Sequence, residues 1–184
     1  SLAWSVISET NQTRELATRE AQANFNKDMA FRLWATKHGG VYVPASEWTP
    51  PNPYLSNIPE RDVVTPSGKL LTLMNPAYMV RQMSNEYAQL FGVKGHITSL
   101  KLHNPDNAPD AWERKALLAF EPGVKEVFEV SDIDGKPYLR LMRPMVVQEG
   151  CLKCHAYQGY KVGDVRGGVG VAVPLDGYYH LRDE

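Results

Sequence analysis

Residues 9–37 form one uninterrupted run without glycine or proline, rich in Ala, Glu, Gln, Arg and Leu. Leu16, Ala23, Met29, Ala30, Leu33 and Trp34 recur at roughly helical spacing, and His38-Gly39-Gly40 supplies a C-terminal stop. The pattern predicts a helix of about 40 Å at ~1.5 Å per residue. Its first half is polar on nearly every side. It is therefore expected to project from the core or to pair with a second copy of the chain, as in a homodimer.

Val41-Tyr42-Val43 reads as a short strand. Residues 44–62, with Pro44, Pro50, Pro51, Pro53 and Pro59, read as an ordered loop over the core. After the turn Pro66-Ser67-Gly68 the chain returns as a strand over residues 69–74. Asn75-Pro76 is a helix cap with proline in first place, and the helix runs to Phe91 and stops at Gly92. Its buried stripe is expected at Met79, Met83, Tyr87 and Leu90. A strand over 95–102 and a helix from the cap Asp110 to about Phe120 follow. Strands 125–133 and 136–147 are joined by Asp134-Gly135, a strong hairpin signal. A glycine-rich strand at 167–173 closes the pattern.

These elements predict an α+β fold, one antiparallel sheet with its helices on one side. The chain divides into an N-terminal helix, 1–38, which would carry a signal, and a domain over 39–184. Composition agrees: 184 residues, 43% apolar and 22% charged, suit one globular domain. With a net charge of −1 the chain has no field to hold nucleic acid. No phosphate loop or nucleophile elbow points to an enzyme. The apolar run at 2–7 turns abruptly polar, and Tyr178-Tyr179-His180-Leu181 begins a new element. Both ends read as those of a soluble domain cut from between two membrane helices.

The two cysteines of the chain fall in Cys151-Leu152-Lys153-Cys154-His155. This is the C-x-x-C-H run of c-type haem attachment. Two thiols at this spacing reach the two vinyl groups of one porphyrin as thioethers, and the next histidine is held under the iron as its proximal ligand. A thioredoxin-type dithiol would open a helix beside a βαβ unit, whereas this run follows a hairpin. A zinc site would need a fourth, distant ligand.

Several segments resemble the Tll0287-like family of haem-binding sensor domains. They are His38-Gly39-Gly40-Val41-Tyr42-Val43-Pro44, Pro51-Asn52-Pro53-Tyr54-Leu55, Met74-Asn75-Pro76-Ala77-Tyr78-Met79, Ile97-Thr98-Ser99-Leu100, the haem run, and Gly163-Asp164-Val165-Arg166-Gly167-Gly168. The resemblance implies a PAS-like fold and a periplasmic location between two membrane helices. It also implies service in a histidine kinase, diguanylate cyclase or chemoreceptor.

For the sixth iron ligand the sequence offers Met79, one turn into its helix on the face expected to look inward, with Met74 and then water as alternatives. His38, His96, His103 and His180 are scattered, and an isolated histidine is more often a surface or core group. Arg143, Arg166, Lys153 and Lys161 are candidates to neutralise haem propionates; Arg166, in the turn after the haem run, is preferred. Tyr157 and Tyr160 are expected to pack on the porphyrin edge. The function expected is a haem sensor of a redox partner or diatomic gas, with covalent haem absent where maturation machinery is lacking. The alternatives are a soluble monohaem electron carrier, a haem enzyme such as a peroxidase, and a cleft that senses a small organic ligand.

Overall fold

The computed structural model describes residues 2–180. The side chains of residues 2–9, of Gln89 and of His180, and all of residues 181–184, lie outside the described residues. The sequence readings of the apolar start, of His180 as a ligand and of the far end fall there. The helices are α1 (Leu2–Lys37), α2 (Pro76–Phe91), α3 (Ala111–Phe120), α4 (Glu149–His155) and α5 (Asp176–His180). The strands are β1 (Val41–Pro44), β2 (Asp62–Val64), β3 (Leu70–Met74), β4 (Lys94–Thr98), β5 (Val127–Ile133), β6 (Lys136–Val146) and β7 (Val165–Pro174).

The fold is α+β, but its strands form two antiparallel sheets rather than one, ordered β1-β3-β2 and β4-β7-β6-β5. β2 is three residues long and pairs with β3. So short a run carries no alternation by which a sequence could announce it. β7, last in the chain, inserts between β4 and β6. A Cβ added at Gly167 would stand 2.3 Å from the Thr98 carbonyl oxygen, so only glycine lets the two backbones come this close.

Helices cover both faces of the larger sheet, not one. Along β6 and β7, Leu139, Leu141, Val169, Val171 and Val173 join Ala17, Ala21 and Phe25 of α1 and Val80 of α2 in the main core. The residues between them point the other way, where Met142 packs with Ala116, Leu117 and Phe120 of α3. On this second face Arg140 reaches Asp110 at 2.7 Å and lies 4.4 Å over the Trp112 ring. Asp110 caps α3 in a reciprocal box with Glu113.

Two expectations fail, one of them in part, for one reason. The first half of α1 projects only in part: residues 10–12 and 14–16 are exposed, whereas Ala17 and Ala21 are fully buried against the sheet. Alanines four apart let a helix backbone approach closely, yet they leave little hydrophobic signal in a polar stretch. On α2, Met83, Tyr87 and Leu90 are exposed, and the buried side is carried by Tyr78 and Val80. Its ends fall where expected, with the Asn75 side chain accepting from the Tyr78 N–H at 3.0 Å and Gly92 at φ 75°. The face it turns to its neighbours is again built of small residues. Ala77 packs on the main core, and Ser84 Oγ would lie 2.8 Å from a Cβ on Gly95.

Candidate functional site

The C-x-x-C-H run lies on α4, between the antiparallel strands β6 and β7, so no βαβ unit is present around it. Positions 151, 154 and 155 are spaced by three and four, which gathers them on one side of a helix. All three line a single cleft with Arg32, Thr36 and Leu73. Both cysteines are free thiols. The Gln148 N–H donates to Cys151 Sγ at 3.4 Å. Cys154 packs against Leu55, Ile58 and Leu73, and burial pushes its thiol pKa up, countered in part by Lys153.

His155 Nδ1 meets Gln158 Oε1 at 2.8 Å. Its hydrogen-bond contacts fall on Nδ1, which leaves Nε2 as the ring nitrogen available to a metal. Burial pulls the His155 pKa down, more than the Gln158 hydrogen bond raises it, and Arg166, His103 and Arg32 add to the depression. The ring is held neutral. Among the described residues no group of three or more His, Cys, Asp and Glu is placed to share one metal ion.

A second cleft, of about 750 Å³ with its open mouth, adjoins the same helix. Cys151 and His155 form one wall, with Arg32, Arg81, Arg166, His103 and Met145 among the others. No Asp or Glu is among the described residues that line it. Arg166 is buried, and its Nη1 donates to Ser99 Oγ at 2.7 Å and to the Lys101 carbonyl at 3.2 Å. Its Nε stands 3.5 Å from His155 Nδ1.

The sequence-predicted residues part company here. Cys151, Cys154, His155 and Arg166 come together. Tyr157 is exposed, and its hydroxyl meets His103 Nδ1 at 2.6 Å. Tyr160 lies under the Arg166 guanidinium, 5.1 Å from its ring centre. Met79 is half-buried, and neither it nor the buried Met74 lines either cleft. Because α2 is rolled onto its small residues, its methionine side does not look inward. Arg143 is engaged with Glu126 at 2.6 Å, while Lys153 and Lys161 are exposed. His38 packs on Trp34, and His96 Nδ1 meets Glu113 at 2.7 Å. His103, Met145 and Arg32 are the cleft residues that sequence reasoning missed or underweighted. Of these, His103 alone was weighed from the sequence, as one of four scattered histidines.

Fold and site together define an α+β domain whose sheet presents a short C-x-x-C-H helix to an arginine-lined cleft. The chain belongs to the Tll0287-like family, whose model matches residues 9–174. A solved structure, that of the cyanobacterial heme-protein Tll0287, is 18% identical over 94% of each chain, with a TM-score of 0.49. No curated protein matches the chain. Among the described residues no helix is long and apolar enough to cross a membrane.

Proposed function

We propose that this chain is an extracytoplasmic sensor domain carrying one c-type haem, of the kind found between two membrane helices. Cys151 and Cys154 would hold the haem through thioethers, each thiol adding across one vinyl group with sulfur on one vinyl carbon and the thiol hydrogen on the other. His155 would bind the iron through Nε2. The observation that carries this reading is the convergence of both free thiols and a neutral imidazole with an open Nε2 on one cleft. The haem iron would supply the redox or gas-binding chemistry. The enclosed part of the larger cleft is about 90 Å³, so the cleft would have to open to admit a porphyrin.

Signalling is favoured over electron carriage by the last turns of α1. A Cβ on Gly150 would lie 2.6 Å from Thr36 Cγ2, so α1 bears directly on the helix that holds the haem. A change of iron oxidation or ligation that shifts α4 would be felt by α1, and homodimer partners or membrane helices could read it there. The chain would act as a sensor and not as an enzyme.

The reading is tested by making the protein with haem-attachment machinery and extracting it with acid and organic solvent. Colour should stay with the protein, and Cys151→Ala should weaken that retention. Complete loss of colour from the unaltered protein would refute covalent attachment.

A further inference from the structure

Arg32 is the most poorly satisfied charge near the site. Its Nη2 donates to Met145 Sδ at 2.8 Å and its Nη1 to Met29 Sδ at 3.5 Å. Its Nε is closed off from solvent and has no hydrogen-bond partner. Thioether sulfurs are weak acceptors, and among the described residues no carboxylate pairs with this guanidinium. Burial accordingly disfavours its charged form. A buried charge without a counter-ion is expensive and is rarely kept without a use. Arg32 opens onto the same cleft as Arg81 and Arg166. Those two already have company: Arg81 stacks 5.1 Å from the Tyr78 ring, and Arg166 holds Ser99 and Lys101.

We propose that Arg32 is the anchor of a carboxylate bound in this cleft. The planar fork of a guanidinium matches a carboxylate in two parallel hydrogen bonds, and three arginines with no lining acid give the cleft the opposite sign. The carboxylate is a haem propionate or that of a free organic acid. In the first case the proposal rests on the haem reading, and in the second it stands without it. Either way the bound group is fastened to α1 at Arg32, beside the α4 cysteines. Arg32 thereby becomes the link between the ligand and the signalling helix.

Arg32→Met and Arg32→Lys test this. In haem-loaded protein, resonance Raman should show the propionate-bending band shift in Arg32→Met and return in Arg32→Lys, with the reduction potential falling and recovering in step. In protein made without haem-attachment machinery, Arg32→Met should melt higher than its parent, because a thioether suits the Met29–Met145 surroundings better than an unpaired charge. The parent, titrated with acetate and with succinate, reports a free acid as the source if its melting temperature rises and that rise is lost in Arg32→Met. A Raman response assigns the carboxylate to haem. An acid response without one assigns it to a free ligand, and the extraction experiment then judges the haem reading separately. If the propionate band is unmoved and neither acid stabilises the haem-free protein, the proposal is overturned. It is overturned equally if Arg32→Met melts lower than its parent without ligand, since Arg32 is then a packing residue.

Discussion

The imidazole of His103 stands edge-on to that of His155, with ring centres 6.3 Å apart and planes at 84°. Two imidazoles sharing one metal at bonds of about 2.0 Å place their centres about 6 Å apart. His103 is therefore near enough to His155 that both could hold the iron of a bound haem. It is now held by Tyr157 at Nδ1 and by the Tyr54 carbonyl at Nε2, and the second of these bonds must open for it to reach iron.

His103→Ala in the haem-loaded protein is expected to convert a low-spin ferric spectrum to high-spin and to speed carbon monoxide binding to the ferrous form. Absorption spectroscopy with flash photolysis reads both. An unchanged spectrum and rate would pass the distal role to Met145, which lines the same cleft. The same comparison on Met79→Ala should show no effect, because Met79 lies away from both clefts.

Ala21 is fully buried where α1 crosses the sheet, beside Ala17 and Phe25. Ala21→Leu should overpack this contact and lower stability by about 1–3 kcal/mol in urea unfolding. A helix that projected into solvent would tolerate the change within about 0.5 kcal/mol. The size of the loss thus measures how firmly α1 is seated on the domain it serves.

The Tyr178 hydroxyl donates to Glu20, tying α5 to α1. Burial first, then the hydrogen bond and charge of Glu20, push its phenol up to about 12. The folded value lies above the ordinary ~10, so the folded state resists ionisation. The stability linked to this group is complete below pH ~10 and is lost as pH rises through about 12. Denaturation at a series of alkaline pH values should show a shallower decline in Tyr178→Phe than in the parent. Equal slopes would mean that the tether contributes nothing.

Much of the local structure is legible in the sequence. Asn75-Pro76 and Gly92 bound α2, Asp110 opens α3, and Asp134-Gly135 turns β5 into β6. Each is a short-range device whose hydrogen bonds and φ angles are satisfied within a few residues. The two cysteines and the histidine of the C-x-x-C-H run belong to the same class, because their spacing is set within five residues.

The partners of those elements were decided elsewhere. Which side of α2 faces inward turned on Ala77, Val80 and Ser84 meeting α1 and β4, contacts between residues far apart in sequence. Met79 lost its expected place for that reason. The cleft is likewise a product of distant segments: Arg32 comes from α1, His103 from the loop after β4, Met145 from β6 and Arg166 from β7. Sequence alone determined the C-x-x-C-H spacing and the helix caps, because both are local. Tertiary structure decided which charges and imidazoles surround it, because close packing through alanine and glycine brings backbones together without leaving a hydrophobic signature in the chain.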